Sequence, residues 1–247
     1  MHPETDRLLD RLAHFFLPGR CLGCEEALPW RTQPLNLCSD CRSSIRKTDD
    51  EECRLCGART ATDAWLCVPC RRGKPSLDAV LSAWSYEPPI DQVIQGLKFR
   101  RLEYLAVHIA EALGEELPIG DGHDLVTAVP LHWRRQLQRG FNQSDLIARP
   151  LARRLGLPYR RILRRSRPTE AQSGLSRSQR KANVRNAFQL RRRSRGINVE
   201  GSRVLLIDDV TTTGATLLEA SRALKLAGIR TVTAVVAART PYARIRL

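Results

Sequence analysis

The stretch from Val204 to Leu217, VLLIDDVTTTGATL, constrains the fold of this chain more than any other part of its sequence. Its first four residues, Val204 to Ile207, are apolar, which is the pattern of a short strand buried on both faces. Two adjacent carboxylates, Asp208 and Asp209, end the apolar run, and a loop of small residues and then leucines at helical spacing follow. The order of these parts predicts a strand, a loop and a helix.

The loop and the helix that follows have the chemistry of a phosphate site. A helix N-terminus carries free N–H groups and about half a positive charge, so it favours an anion. Hydroxyl groups of Thr212, Thr213 and Thr216 add donors, and Gly214 allows the backbone to approach a ligand closely. The two carboxylates would repel a phosphate, so they suit sugar hydroxyls or a metal ion beside it. These features together predict a site for a phosphorylated ribose.

The stretch resembles the phosphoribosyl pyrophosphate (PRPP) motif of type I phosphoribosyltransferases at every position. The resemblance implies that Asp208 and Asp209 face the ribose 2′- and 3′-hydroxyls. It implies that the 5′-phosphate is held by the loop residues Val210, Thr211, Thr212, Thr213, Gly214, Ala215 and Thr216. The structural alternative is a strand-to-helix turn with a threonine cap and two solvated acids. A dehalogenase-type phosphatase would need an aspartate where Val210 stands.

All eight cysteines form four Cys-x-x-Cys pairs near the N-terminus: Cys21/Cys24, Cys38/Cys41, Cys53/Cys56 and Cys67/Cys70. Tetrahedral zinc takes four thiolates, so eight ligands predict two structural zinc ions with no open coordination position. Sequential pairing is the simplest arrangement, and interleaved pairing stays open. Disulfides are the alternative, which the lack of a secretory signal argues against. Because the segment is poor in large apolar residues, metal binding would supply folding free energy.

The chain has 247 residues, room for one medium domain and a small one. We expect an N-terminal amphipathic helix at 1–19, a double zinc ribbon at 20–74 and a phosphoribosyltransferase-like domain at 75–247. The N-terminus has no apolar core of signal-peptide length, and no run approaches ~20 apolar residues. These absences predict a soluble, cytoplasmic protein.

The formal net charge of +15 is concentrated in one segment. Residues 149–195 contain sixteen Lys or Arg and one acid, Glu170, which leaves 25 basic and 25 acidic residues elsewhere. Such a segment predicts a polyanionic partner, either nucleic acid or a substrate that bears pyrophosphate. A solvated arginine-rich face is the alternative.

A second loop in the sequence offers donors for a diphosphate. Leu77 to Tyr86 and Leu125 to Val129 are expected as strands, with helices between them that end near Leu97 and Leu117. After the second strand come the candidate donors His132, Arg134, Arg135, Arg139 and Asn142. Arg139 and Asn142 are the preferred candidates, although Asn142 is also placed to cap the next helix. For His132 and Trp133, the alternative to ligand binding is a packing role at the edge of the loop.

Residues 172–188, within a hood expected at about 164–188, are polar, rich in Ser and Arg, and weakly periodic. This pattern predicts a mobile loop or hairpin outside the core that closes over an active site. Arg177, Arg180 and Lys181 would then act on the pyrophosphate as charge develops on it. A disordered basic segment is the alternative.

Four segments carry a wider resemblance: LKFRR at 97–101, VPLHWRRQLQRGFNQ at 129–143, QSGLSRSQRKANVRNAF at 172–188, and the PRPP motif. With the cysteine pairs, they resemble the ComF (ComFC) family of bacterial phosphoribosyltransferase-like proteins. The resemblance implies an α/β fold of the type I phosphoribosyltransferase class, with a parallel sheet flanked by helices and the ligand at the carboxyl ends of the strands. It also implies a role in natural transformation, with single-stranded DNA, a DNA translocase and a recombinase loader as partners.

Two functional hypotheses follow. In the first, the chain is an enzyme that binds PRPP with Mg²⁺ and transfers its phosphoribosyl group to an acceptor, releasing pyrophosphate. In the second, it is a non-catalytic adaptor for single-stranded nucleic acid that uses PRPP only as a signal. The second hypothesis requires aromatic platforms on which bases stack. The basic segment contains only Tyr159 and Phe188, which weakens this hypothesis. The acceptor is not readable from the sequence, and the fold class implies a possible homodimer.

Overall fold

The computed structural model describes residues 19–28, 34–48, 51–60, 66–73, 75–167, 176–191 and 199–241. Within these ranges six strands form: β1 Ala79–Ser85, β2 Leu125–Ala128, β3 Leu163–Arg165, β4 Phe188–Leu190, β5 Arg203–Thr211 and β6 Thr231–Arg239. The helices are α1 Ser39–Ser43, α2 Val68–Arg72, α3 Ile90–Phe99, α4 Leu105–Glu116, α5 Trp133–Arg139, α6 Gln143–Arg154, α7 Arg177–Val184 and α8 Ala215–Lys225. The helix predicted at 1–19 lies outside the described residues.

The main sheet is parallel, in the order β1-β6-β5-β2. β5 is central and pairs with both neighbours, with Ile207 opposite Ala128 on one side and Val235 on the other. Because all four strands run the same way, their carboxyl ends meet along one edge. This arrangement confirms the predicted parallel sheet flanked by helices.

The central strand is longer than the sequence predicted. We expected Asp208 and Asp209 to end it, but β5 continues through both acids to Thr211, which pairs with Arg239 of β6. Backbone ladder bonds do not depend on side-chain polarity, so pairing with β6 carries the strand past the apolar run. The two acids therefore stand on a rigid strand.

Each face of the sheet has its own hydrophobic core. On one face, Leu205 and Ile207 pack with α3, α4, α6 and the segment of the first four cysteines. On the other, Val204 and Leu206 pack with α8, β4 and the segment of the last four cysteines. The alternation along β5 is the two-residue period of a strand buried on both faces. Both cysteine segments are therefore packed on the sheet.

The segment predicted as a hood contains an antiparallel pair and a short helix. β3 and β4 pair with each other, and α7 begins at a capping box in which Ser176 and Gln179 satisfy each other's backbone N–H groups. The expectation that residues 172–188 avoid the core is wrong at the C-terminal end, since Val184 and Phe188 are buried. Phe188 packs in the core beside α8, which anchors the hairpin.

No helix within the described ranges is both long enough and apolar enough to cross a bilayer.

Candidate active site and cysteine clusters

A cavity of about 500 Å³ opens at the carboxyl edge of the parallel sheet. It collects residues from the ends of all four strands and from α3, α5, α6, α7 and α8. The lining consists of Tyr86, Lys98, Phe99, Val129, Pro130, Leu131, Arg135, Arg139, Gln143, Ser144, Arg165, Arg180, Asp208, Asp209, Val210, Thr212, Thr216 and Thr240. Five of these side chains are basic and two are acidic, so the charge of the lining favours an anionic ligand.

The two acids at the end of β5 are buried and held by different partners. Asp208 Oδ1 accepts hydrogen bonds from Ser144 Oγ at 2.8 Å and from the backbone N–H of Asp209 at 3.0 Å. Asp209 Oδ1 accepts from the backbone N–H of Val210 at 2.6 Å. These bonds fix the orientation of both carboxylates before any ligand is present. Such preorganised acceptors suit a pair of neighbouring hydroxyl groups.

The environment of Asp208 disfavours its ionised form. Burial, followed by the charge of Asp209, raises the pKa of Asp208 to about 7. The hydrogen bonds from Ser144 and from the Asp209 backbone act in the opposite direction, as does Lys98. The proton on this carboxyl is therefore exchanged near neutral pH.

Lys98 supplies the cation that faces this acid pair. Its Nζ lies 2.8 Å from Asp209 Oδ2, and the two side chains are only 17% and 6% exposed. Lys98 stands in the last turn of α3, directly before Phe99, which also lines the cavity. An ion pair this deeply placed is screened little by solvent, so it holds the end of α3 firmly against the end of β5.

Some side chains of the predicted phosphate loop line the cavity, and others are buried on the opposite side of the loop. Gly214 caps α8 with a left-handed φ of 73°, a conformation that residues with a Cβ adopt only with strain. Thr212 and Thr216 line the cavity, whereas Thr211 and Thr213 are buried away from it. The N-terminal end of α8 and two of the four loop threonines therefore belong to the same site.

Four arginines crowd the rest of the cavity. Burial lowers the pKa of Arg139, with Arg135 acting in the same direction and Asp209 opposing. Burial and the charge of Arg135 lower the pKa of Arg165 to about 10. Burial also lowers the pKa of Arg180. Half-buried guanidinium groups held close together gain from a polyanion that enters between them.

The loop after β2 provides both ligand-facing side chains and scaffold. Of its predicted donors, Arg135 and Arg139 line the cavity, and Arg134 instead lies over the Trp133 ring, with its Cζ 5.3 Å from the centroid. His132 is buried and caps α5 by accepting from the Arg134 backbone N–H. His132 is therefore outside the cavity lining, in a packing and capping position.

Asn142 has a similar scaffold position. Its Oδ1 accepts from the Ser144 backbone N–H at 3.2 Å, which caps α6, and its Nδ2 donates to the Val129 carbonyl at 3.0 Å. The side chain is only 5% exposed and lies outside the cavity lining. Asn142 thus ties α6 to the end of β2 and places the hydroxyl of Ser144 against Asp208.

Of the three hood residues predicted to contact pyrophosphate, Arg180 lines the cavity. Arg177 and Lys181 belong to the same helix, α7, and their side chains lie outside the described part of the structure.

The lining residues that sequence reasoning missed include Lys98, Ser144 and Arg165. Lys98 lies in the LKFRR stretch and Arg165 lies in the basic segment, and the sequence analysis had singled out both segments for other reasons. Ser144 lies in the same RGFNQS run as Asn142, for which a donor role and a capping role were predicted, and no role was predicted for the serine. A basic residue at the end of an amphipathic helix is common, so its spacing alone could not identify Lys98 as a partner of Asp209.

The eight cysteines form two clusters with sequential pairing: Cys21, Cys24, Cys38 and Cys41 in the first, and Cys53, Cys56, Cys67 and Cys70 in the second. In each cluster all four sulfur atoms lie within 4.8 Å of one another. Sulfurs bound to one tetrahedral zinc at about 2.3 Å would be about 3.8 Å apart. The Sγ distances are 3.7 Å for Cys24 to Cys38 and 3.6 Å for Cys56 to Cys67. Both clusters therefore fit zinc.

The thiols of the second cluster polarise one another. Hydrogen bonds from Cys56 and Cys70 bring the pKa of Cys53 far below its ordinary range. The contact with Cys53 raises the pKa of Cys56 to about 11. Hydrogen bonds of this kind favour the thiolate form, in which cysteine binds zinc.

Comparison with known proteins agrees with this architecture. Residues 143–246 match the phosphoribosyl transferase domain family. The chain is 33% identical to the DNA utilization protein YhgH of Salmonella typhimurium, over 87% of this chain and 95% of the relative. It is 34% identical to Competence protein F of Haemophilus influenzae, over 88% and 95%. It is 27% identical to Competence protein ComFC of Bacillus subtilis, over 83% and 88%.

The fold and the site define a protein with a type I phosphoribosyltransferase domain preceded by two four-cysteine clusters. The relatives extend this likeness over almost their whole length. The chain belongs to the ComF family of competence and DNA-utilization proteins.

Proposed function

We propose that the cavity at the carboxyl edge of the sheet binds PRPP and that the chain transfers the phosphoribosyl group to an acceptor. The observation that carries the proposal is the joining of three elements in one cavity. These are a buried carboxylate pair, the start of α8 with its threonines, and a group of half-buried cations. A ribose diol, a monophosphate ester and a diphosphate each match one of them.

Each part of the substrate has a plausible partner. The 5′-phosphate would bind the free N–H groups at the start of α8 together with Thr212 and Thr216. The diol would donate to Asp208 and Asp209, whose orientations are already set by hydrogen bonds. The diphosphate would lie among the arginines that line the remaining wall: Arg135, Arg139, Arg165 and Arg180.

The proposed reaction is a displacement at the ribose anomeric carbon. A bond forms between the acceptor atom and C1′ while the bond from C1′ to the pyrophosphate oxygen breaks. The electron pair leaves on pyrophosphate, and the proton of the acceptor passes to solvent. Negative charge grows on the leaving group, so the half-buried arginines stabilise the transition state more than the ground state.

Mg²⁺ fits this proposal only as a companion of the substrate. Asp209 Oδ2 is already paired with Lys98, and Asp208 Oδ1 already accepts two hydrogen bonds. Among the described residues, groups of three or more possible metal ligands occur only in the cysteine clusters. A magnesium ion would therefore be carried on the oxygen atoms of the diphosphate, as is usual for this ion.

Calorimetric titration of the zinc-loaded chain with PRPP and Mg²⁺ tests the binding step. Wild type should bind, and the double variant Asp208→Asn, Asp209→Asn should lose most of its affinity. Asp121→Asn is a matched control, because this exposed acid precedes β2 at the opposite end of the sheet. Unchanged affinity in the double variant would refute the proposed role of the acids.

Pyrophosphate release tests the transfer step separately. The chain is incubated with PRPP and a panel of bases, nucleotides and single-stranded DNA. Release above the rate of spontaneous hydrolysis, dependent on one acceptor and lost in Arg165→Gln, supports catalysis. Binding without acceptor-dependent release would favour the adaptor hypothesis.

A second candidate function, binding of single-stranded nucleic acid, is favoured by an exposed surface beside the cavity. This α5 surface consists of Phe99, Trp133 and Leu137, which are 70%, 58% and 74% exposed, with Arg134 and Arg139. Arg139 lies over the Phe99 ring at 5.1 Å. The aromatic groups that the basic segment lacks are thus provided by neighbouring elements.

The α5 surface also meets the basic segment. Trp133 shares a small cavity of about 170 Å³ with Arg164 and Arg191, both exposed. Proteins that bind single strands without sequence preference usually stack aromatic rings on the bases and place arginines against the phosphates. The names of the relatives, competence and DNA utilization, agree with a nucleic-acid ligand.

A salt titration of affinity for single-stranded DNA tests this candidate. Trp133→Ala should weaken binding by about 1–3 kcal/mol without changing the salt slope. Arg164→Gln should reduce the slope by about 0.7. The control is Leu226→Ala, another exposed apolar residue, at the far end of α8. If Trp133→Ala and Leu226→Ala have equal effects, the α5 surface is not the DNA site.

A further inference from the structure

The second cysteine cluster touches the phosphate loop. A methyl group added at Gly214 would lie 2.4 Å from Leu55 Cδ1 and 3.1 Å from the Leu55 carbonyl oxygen. Distances this short mean that the backbone at Gly214 rests directly on Leu55. The residue is therefore glycine for two reasons, its left-handed φ and the absence of space for a side chain.

Leu55 belongs to the metal-binding turn itself. It stands between Cys53 and Cys56, and it is only 2% exposed. In a Cys-x-x-Cys turn, metal binding fixes the backbone of the two residues between the ligands. The position of Leu55, and with it the surface on which Gly214 rests, thus depends on the second cluster.

The same turn is held from its other side by the sheet. Arg239, the last residue of β6, is 2% exposed and donates from Nη1 to the Cys53 carbonyl at 2.7 Å. The Nη2 group of Arg239 forms an ion pair with Glu52. Arg239 also pairs across the ladder with Thr211, the first residue of the loop. The turn from Glu52 to Cys56 is therefore connected to the loop on two sides.

A third contact lies behind the loop. Thr213 and Ala215 share a cavity of about 430 Å³ with Leu55 and Cys70, on the side of the loop opposite Thr212 and Thr216. The Thr213 hydroxyl is buried and makes no hydrogen bond within the described part of the chain. This hydroxyl therefore does not help to hold the loop in place, whereas the contact of Gly214 with Leu55 does.

The first cysteine cluster packs elsewhere. Leu37, which precedes Cys38 and is fully buried, joins the core with α3 and α4 on the other face of the sheet. Gly23 of this cluster approaches Cys41 and Pro89. The two clusters, similar in sequence pattern, thus support different parts of the domain.

We propose that the second cysteine cluster is the support of the phosphate loop, and that metal bound there sets the affinity of the loop for the phosphate ester, whereas the first cluster has only a general stabilising role. The inference rests on the proposed PRPP site. Its physical basis is preorganisation, since N–H groups already held in position lose less freedom when they bind an anion.

Two equivalent substitutions separate the roles of the clusters. Leu55→Ala removes the contact with Gly214, and Leu37→Ala removes an equally buried leucine beside the first cluster. Zinc content and the circular dichroism spectrum establish that both variants are folded and metal-loaded. Leu55→Ala should then weaken PRPP binding by about ten-fold or more, as displaced binding groups do, and Leu37→Ala should not.

Hydrogen exchange of the backbone gives a readout that needs no ligand. In Leu55→Ala the amides of residues 211–217 should exchange faster than in wild type, and in Leu37→Ala they should not. Equal exchange in both variants would overturn the inference. If wild type fails to bind PRPP, the proposed function fails, and the exchange comparison still decides whether the cluster supports the loop.

A double-mutant cycle tests the direct contact. Gly214→Ala alone places a methyl group against Leu55 and should weaken phosphate binding severely. Leu55→Ala removes the nearest colliding atoms, so the double variant should bind better than the product of the two single effects predicts. Independent effects of the two substitutions would contradict a direct contact between cluster and loop, even if one variant folds poorly.

Discussion

The Nζ atom of Lys98 lies 2.8 Å from Oδ2 of Asp209, in a pair that is almost closed to solvent. The contact links the end of α3 to the end of β5 and puts a cation next to two adjacent carboxylates. Lys98 is therefore the residue through which α3 affects the charge of the site.

Replacing Lys98 with methionine should destabilise the chain by about 1–3 kcal/mol, because Asp209 then loses its partner while it stays buried. Urea denaturation measures the change. The control is Lys47→Met, which removes an exposed pair with Glu116 and should have a much smaller effect. Equal losses in the two variants would show that the Lys98 pair is no stronger than a surface pair.

The affinity for PRPP should fall as the pH is lowered from about 8 to about 6. The pKa of Asp208 is raised to about 7, so this carboxyl gains a proton within that range and can no longer accept from two hydroxyl groups. The same shift has the opposite effect on the free protein. The folded form binds this proton more tightly than the unfolded form does. Asp208 therefore contributes stability to the folded protein at low pH, and this contribution is lost as the pH rises through about 7.

Ser144→Ala distinguishes this titration from that of the ligand. The Ser144 hydroxyl favours the ionised form of Asp208, so its removal should raise the pKa and move the midpoint of the binding profile to higher pH. The titration of the phosphate groups of PRPP itself is the same in experiments with either protein. A midpoint that is the same in wild type and variant would assign the pH dependence to the ligand.

Asn142→Ala should lower stability by about 1–2 kcal/mol, because the substitution removes the cap of α6 and the bond to the Val129 carbonyl. Thermal unfolding measures this loss. The affinity of the folded variant for PRPP should change less than that of Arg139→Gln, since Arg139 lines the cavity. A larger loss of affinity in Asn142→Ala would mean that this amide contacts the ligand, as its sequence position first suggested.

Arg239→Met should cost about 3–5 kcal/mol, because it leaves the Cys53 carbonyl and Glu52 without their buried partner. Denaturation followed together with zinc release should show that metal is lost more easily. Arg203→Met is the control, since Arg203 and Asp124 form an exposed pair. Retention of zinc at the wild-type affinity would argue against a link between β6 and the second cluster.

Much of the fold was readable before the structure. The run from Val204 to Ile207, the acid pair and the small-residue loop predict a parallel βα unit, because each part has one dominant local preference. The Cys-x-x-Cys spacing predicts two metal clusters for the same reason, and their sequential pairing agrees with the structure. The roles of individual donors were less readable, since Asn142 is suited both to a ligand and to a helix cap.

The amino-acid sequence by itself determined the strand, loop and helix of the phosphate site and the two sets of four cysteines, because these depend on local backbone geometry and ligand spacing. Only the tertiary structure decided that Lys98 meets Asp209 and that Leu55 supports Gly214. These partners are more than a hundred residues apart, and the packing of α3 and of the second cluster on the sheet brings them together. Spacing along the chain carries no information about such contacts.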